Sequence, residues 1–257
     1  MLDANIQQQL KQTFGNLKSS VVLRVFAGDD AKSKELVTLA NDMAELSTLI
    51  SVEAGTDGER TPSLQVQAVD STSSIYFAGV PMGHEFTSLI LAVLHSGGHA
   101  MKVEPELIEQ ISGLEGEFKF ETFISLTCQN CPDVVQALNM MAVINPNISH
   151  VMIDGGVFPE EAESRKVMAV PTVFLNGEQF TQGRTSLAKI VNKIDTGAAK
   201  RQAAALNEKE PYEVLIVGGG PAGAASAIYA ARKGIRTGIV TSRFGGQVLD
   251  TGGMENF

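Results

Sequence analysis

Hydrophobic positions along the chain alternate between helical and strand periods, and they do so in an order that occurs twice. Ile6, Leu10, Phe14 and Leu17 recur at helical spacing over residues 1–17, and the apolar run Val21 to Phe26 follows as a strand. After a polar turn at Gly28–Asp30, Leu36, Leu39, Ala40, Met43 and Leu46 share a helical face, and Leu49 to Val52 reads as a second strand. Leu64 to Val69 and Ser74 to Ala78 alternate as a hairpin does, and a helix from about Thr87 to Leu94 stops at Gly97–Gly98. The order then recurs. Phe118 to Ile124 is a strand, Cys131 to Ala142 a helix with Val134, Val135, Leu138 and Met141 periodic, and His150 to Ile153 a strand. Glu160 to Arg165 is a short helix, Thr172 to Asn176 with Glu178 to Gln182 a hairpin, and Thr185 to Ile194 a closing helix.

Short strings repeat with the elements. A lone proline precedes each hairpin, Pro62 in Thr-Pro-Ser and Pro171 in Val-Pro-Thr, and Thr-Ser-Leu opens each last helix (87–89 and 185–187). Their common order points to an α/β protein with two βαβ–ββα units in tandem, over residues 1–100 and 101–195. Residues 196–211 hold one large apolar side chain, Leu206, and read as a linker. Residues 212–257 change character, to a buried strand, a glycine turn, a helix and a second strand.

Composition narrows the chemistry. With 44% hydrophobic and 19% charged residues the chain has material for a sizeable core, and its net charge of -9 repels nucleic acid and anionic membrane. The first residues lack the apolar stretch of a secretory signal, and no run approaches the roughly 20 apolar residues of a membrane span, so a cytoplasmic protein is expected. The two cysteines stand three residues apart. In a reducing compartment such a pair is catalytic or metal-binding more often than structural.

Cys128 and Cys131 lie in Phe-Ile-Ser-Leu-Thr-Cys-Gln-Asn-Cys-Pro-Asp, where a strand runs into a helix. Free N–H groups and the positive dipole end at a helix N-terminus favour the thiolate, the species that attacks a disulfide. Cys131 one turn on is within closing distance, and Pro132 is tolerated where an N–H has no intrahelical partner. A zinc site would draw two further ligands from His84, His95, His99 and His150, which lack ligand spacing. A structural disulfide over so short a loop would stabilise weakly. Thiol–disulfide exchange is the preferred reading. The first unit has Asp29-Asp30-Ala31-Lys32 at the corresponding place, so it reads as a structural platform. The sharper reading gives this unit a docking face or an acid/base group: Glu85, in Gly-His-Glu-Phe, is the candidate proton carrier, but an exposed surface glutamate is the preferred reading of that residue.

In Val-Leu-Ile-Val-Gly-Gly-Gly-Pro-Ala-Gly, Gly218, Gly220 and Gly223 form G-x-G-x-x-G between a strand and a helix, the context of a dinucleotide site. Gly218 permits the tight turn, Gly220 the approach of a pyrophosphate, and Gly223 close helix–strand packing. Gly219, Pro221 and Ala222 complete the cradle. Thr241-Ser242-Arg243 after the next strand lacks the acidic residue that would hold an adenine ribose, Ser242 being nearest. About 17 residues follow that strand, so a fragment of a longer protein is expected, one that binds no cofactor by itself.

The strings CQNCPDVVQALN, VLIVGGGPAGAASAIYAARKGIRTG and FGGQVLDTGGMENF resemble the family of flavoproteins that serve bacterial alkyl hydroperoxide reductase, over the whole chain. The glycine string is shared with thioredoxin reductases. The resemblance implies two thioredoxin-like folds, the second with the redox pair, then the start of an FAD-binding Rossmann domain. It implies FAD and NADH as cofactors of the full-length protein, and FAD contacts at Gly218, Gly220, Gly223, Gln247 and Asn256. It implies a dimer formed by the full-length protein and a two-cysteine peroxiredoxin as partner. Cys128 would be the nucleophile and Cys131 the resolving thiol. By the same resemblance Pro171 would be cis and lie against the pair. The rival readings are a general thioredoxin- or glutaredoxin-like reductase and a metal-binding or scaffold module.

Overall fold

Strands that alternate buried and open positions can cover two faces, and both repeats use this to share a single sheet. The computed structural model describes residues 2–56, 58–69, 71, 74–195, 197 and 210–250. It divides into a unit Met1–Thr196 and a unit Gly197–Phe257. In the first unit, β1 (Val21–Phe26), β2 (Ile50–Ala54), β3 (Ser63–Ala68) and β4 (Ser74–Ala78) come from the first repeat. The second repeat supplies β5 (Phe118–Ile124), β6 (Ile148–Asp154), β7 (Thr172–Leu175) and β8 (Glu178–Gln182). The sheet order is β2-β1-β3-β4-β6-β5-β7-β8. β1 is parallel to β2 and antiparallel to β3, and β5 stands in the same relation to β6 and β7. The repeats meet where β4 runs parallel to β6, from Ser74↔Ser149 to Ala78↔Ile153.

The helices are α1 (Ala4–Phe14), α2 (Ala31–Ala44), α3 (Phe86–Ser96), α4 (Pro105–Ser112), α5 (Cys131–Ile144), α6 (Pro159–Ser164) and α7 (Leu187–Ile194). The expected elements do not include α4, although Leu107, Ile108 and Ile111 stand at helical spacing within it. It has eight residues and buries Ile111 alone, with Pro105 at its start and Gly113 as its C-cap. With α4 in place both repeats open on a helix, and α6 is the second repeat's one addition.

Side chains alternate across the sheet and build two cores. On one face Leu23, Phe77, Leu89, Phe120, Val134 and Leu138, with others, form a cluster that runs through both repeats. On the other, Ala78, Phe123, Ile153 and Phe174 are roofed by Phe158, Ala162 and Val167, from α6 and its flanks. α5 is also pinned by polar groups. His150 is fully buried, with Nε2 2.8 Å from Thr122 Oγ1 and Nδ1 2.7 Å from Asn139 Oδ1. Burial pushes its imidazole down to about 3. It is therefore neutral, with Nδ1–H donating to Asn139 and Nε2 accepting from Thr122.

In the second unit β9 (Val214–Val217) pairs in parallel with β10 (Thr237–Val240), and α8 (Pro221–Arg232) joins them. Apart from residues 197, 210 and 211, the expected linker 196–211 lies outside the described residues. Among the described residues no helix is long and apolar enough to cross a membrane.

Candidate redox site and glycine cradle

β5 delivers the chain to the C-terminal end of the strand at Ile124, and a six-residue connection turns it into α5. Within it the Cys128 N–H donates to the Ser125 carbonyl at 2.9 Å, and Ser125 Oγ lies 3.1 Å from Thr127 Oγ1. Cys128 and Cys131 form a disulfide with Cα atoms 5.5 Å apart. Cys131 is the first helical residue and Cys128 lies in the turn before it. The two sulfurs are unequal. Cys131 is fully buried, whereas Cys128 is half-buried and reachable from solvent. Asp133 in the first turn of α5 pairs with Arg184 at 2.8 Å.

The Val170–Pro171 bond is cis, and the Val170 carbonyl oxygen lies 3.9 Å from Cys128 Sγ. Two bonds shape this loop. Thr172 Oγ1 donates to the Ala169 carbonyl at 2.5 Å, and the Gly183 N–H to the Pro171 carbonyl at 2.7 Å. Met168, 87% exposed, stands on the same loop. Hydrophobic patterning gives no sign of it, because a lone exposed methionine belongs to no periodic face.

The first repeat contains the same loop without the thiols. Thr61–Pro62 is cis, Ser63 Oγ donates to the Arg60 carbonyl at 2.6 Å, and the Gly79 N–H to the Pro62 carbonyl at 2.9 Å. α2 begins at Ala31 behind its cap Asp30. Gly28 and Ala31 therefore stand where Cys128 and Cys131 do, one residue earlier than the Asp29–Lys32 register expected. A Cβ on Gly28 would lie 3.6 Å from Thr61 Cγ2, the counterpart of the Cys128–Val170 contact.

Glu85 is fully buried, which overturns the preferred reading of an exposed surface glutamate. It ends a 3₁₀ turn, Gly83–Glu85, that leads into α3. That turn is fixed to the disulfide loop. The His84 N–H donates to the Leu126 carbonyl at 3.2 Å, and a Cβ at Gly83 (φ +58°) would stand 2.7 Å from the same oxygen. From α3, Ser88 Oγ accepts from Gln136 Nε2 of α5 at 3.2 Å. Neither Glu85 carboxyl oxygen has a hydrogen-bond partner of good geometry, and burial pushes the group up to about 7, with the Ser88 hydroxyl opposing. Among the described residues no group of three or more His, Cys, Asp or Glu could hold a metal ion.

The glycine turn behaves as its residue types require. Gly218 has φ +118°, Gly220 caps α8 with open space where a Cβ would go, and a Cβ at Gly223 would collide with the Gly218 carbonyl oxygen. Pro221 and Ala222 open α8. The Gly245 N–H donates to the Gly219 carbonyl at 2.8 Å, bringing the 3₁₀ turn Gly246–Asp250, with Gln247, to the cradle. Asn256 lies outside the described residues. The free N–H groups at the start of α8 and the open space over Gly220 fit a dinucleotide pyrophosphate.

A thioredoxin domain family model matches residues 118–196. Over its whole length the chain is 58% identical to the alkyl hydroperoxide reductase AhpF of Pseudomonas putida, covering 49% of that protein. It is 53% identical to a Bacillus subtilis protein named NADH dehydrogenase, covering 50% of it. The chain thus spans about half the length of the curated relatives it matches. A crystal structure of the N-terminal domain of alkylhydroperoxide reductase AhpF from Enterococcus faecalis is 33% identical and superposes with a TM-score of 0.70. That match covers 76% of this chain and all of the solved one.

Proposed function

The chain belongs to the AhpF family of alkyl hydroperoxide reductases, and we propose that its Cys128–Cys131 pair relays electrons to the disulfide of a two-cysteine peroxiredoxin. The observation that carries this reading is the asymmetry of the pair, one sulfur reachable and one buried, beside a cis-proline loop.

The chemistry follows from that asymmetry. In the reduced state Cys128, ahead of the α5 N-terminus, attacks one sulfur of the partner's disulfide; the other partner sulfur leaves as a thiolate and is protonated. The Cys131 sulfur then attacks Cys128 Sγ, releasing the partner's second thiolate and closing the Cys128–Cys131 disulfide. Two electrons have moved to the partner. Cys131 gives up a proton in this step, and Glu85, a buried carboxyl held near 7, is suited to accept it. Pro171 and Val170 form the wall against which the partner's chain is laid, and Met168 offers it an apolar contact.

FAD and NADH in the full-length protein would supply the electrons that reload the pair. Gly218, Gly219, Gly220, Pro221, Ala222, Gly223, Gln247 and Asn256 are the residues of this chain we assign to the FAD. We read residues 1–100 as the thiol-free repeat, 101–195 as the redox repeat, 196–211 as the linker and 212–257 as the beginning of the flavin domain. The relay works in the cytoplasm, in a full-length homodimer.

The test is transfer from the pre-reduced chain to an oxidised two-cysteine peroxiredoxin, compared with insulin, for the wild type and Cys128→Ser. Rapid transfer selective for the peroxiredoxin, abolished by Cys128→Ser, is expected. Equal or preferential reduction of insulin would make the chain a general thiol reductase.

A further inference from the structure

We propose that Arg60, in the thiol-free repeat, is a positioning residue for the disulfide site of the other repeat, holding in place the loop that runs from Arg165 to Pro171. This rests on the reading of Cys128–Cys131 as a pair that reduces protein disulfides.

The two cis-proline loops are equivalent. Ser63 to Arg60 and Thr172 to Ala169 make the same hydroxyl-to-carbonyl bond across the proline, so Arg60 and Ala169 occupy the same place in the two loops. In the redox repeat that place carries a small, exposed side chain. In the first repeat it carries a guanidinium that crosses into the second. Arg60 Nε and Nη2 meet both oxygens of Glu161 at 2.9 and 2.6 Å, a bidentate pair, and Nη2 also reaches Glu121 Oε1 at 2.5 Å.

The network continues toward the disulfide. The other oxygen of Glu121 accepts from Arg165 Nη1 at 2.7 Å, and the Arg165 guanidinium lies over the Phe174 ring at 3.9 Å. Arg60, Glu121 and Arg165 each have side chains no more than 20% exposed, and Glu161 has 28%. A pair so far removed from solvent is costly to break from one side, unlike an exposed surface pair. Glu161 belongs to α6 and Arg165 caps it. The Val167 N–H returns to the Ala162 carbonyl at 2.9 Å, and three residues later Val170 places its carbonyl 3.9 Å from Cys128 Sγ. The substrate-side loop is thus tied, through one turn of helix, to an arginine 101 residues away from Glu161 in sequence. The repeat without thiols uses its copy of the loop as a brace.

The test compares Arg60→Met with Arg60→Lys, and with Leu39→Ala, a core substitution in α2 of the same repeat, as a control for general destabilisation. Two quantities are measured on the 257-residue chain: amide hydrogen exchange at Lys166 and Val167, whose N–H groups donate to the Glu163 and Ala162 carbonyls, and the rate at which the reduced pair attacks insulin and the small disulfide 5,5′-dithiobis(2-nitrobenzoate). Arg60→Met is expected to speed exchange at both amides and to slow attack on insulin about tenfold, a loss typical of a misplaced substrate wall. Attack on the small disulfide, which needs no wall, should change less than about twofold. Arg60→Lys keeps the charge without the bidentate fork and should fall between. Leu39→Ala should lower the melting temperature without selective loss on insulin. The brace is overturned if Arg60→Met leaves both amides as protected as in wild type, or if it slows both disulfides equally. A wild-type chain that reduced neither disulfide would overturn the functional reading instead, and the exchange at Lys166 and Val167 would still decide the brace.

Discussion

Two buried ionisable side chains of the thioredoxin-like unit pull its stability in opposite directions with pH. Glu85 titrates near 7 in the folded chain against 4.5 in the open one. The stability it contributes is complete below about pH 4.5 and is lost as pH rises through 7, a loss on the order of 3 kcal/mol. Glu85→Gln should therefore raise the melting temperature at pH 8 and have little effect at pH 4.5. If Glu85 carries the proton of Cys131, the same variant should slow disulfide transfer about tenfold or more at pH 7 and flatten its pH profile there. A variant that gains stability and keeps the full rate would leave Glu85 a buried liability with no catalytic part. His150 acts with the other sign. Its folded value of about 3 lies below the ordinary 6.5. Stability tied to it is intact above pH 6.5 and is lost as pH falls toward 3. Because Glu85 gains stability over much of the same range, the readout is the difference between chains. In urea titrations at steps between pH 7 and 4, His150→Gln should gain stability relative to the wild type as pH falls, whatever that variant's starting stability.

At the scale of elements, the sequence is legible where a face repeats over several turns or a strand alternates. Leu36, Leu39, Ala40 and Met43 announce α2, and all four are fully buried. α4 is readable by the same rule, since Leu107, Ile108 and Ile111 share a face between Pro105 and Gly113, but its eight residues carry that pattern for only two turns. The disulfide pair can be read because a CxxC between strand and helix has few other uses. The burial of Glu85 cannot, since neither of its sequence neighbours shows that the Gly83–Glu85 turn is pressed on Leu126. Gly83 marks that contact. Its φ of +58° disfavours a side chain, and any Cβ would press on the Leu126 carbonyl. Gly83→Val should displace the Leu126–Cys128 turn, cost roughly 1–3 kcal/mol in urea unfolding and slow transfer from Cys128. Gly116, also at positive φ but with open space around it, provides the comparison: Gly116→Val should carry backbone strain and leave the transfer rate unchanged.

At the scale of the molecule, the two repeats read as a single folding unit with one working site. β6 lies between β4 and β5, so removing the first repeat would expose a seven-residue strand edge at the middle of the sheet. α5 would lose its cover as well, since Leu89 and Val93 of α3 share a core with Val134 and Leu138. Each such large side chain is worth about 1.5–3 kcal/mol when buried, and a domain's whole margin is about 5–15 kcal/mol. Residues 101–195 expressed alone should therefore melt far below residues 1–196 and associate through the open edge of β6. They would also lack Glu85 and Arg60, and so should exchange disulfides slowly at pH 7 although both cysteines are present. Residues 1–196 should unfold in one transition that coincides by circular dichroism and fluorescence of a label near the disulfide. Sedimentation and thermal melts of the two chains decide the matter. A monomeric 101–195 with the melting temperature and transfer rate of 1–196 would show that the first repeat is dispensable, whereas restoration of rate by adding back residues 1–100 would locate the missing groups in it.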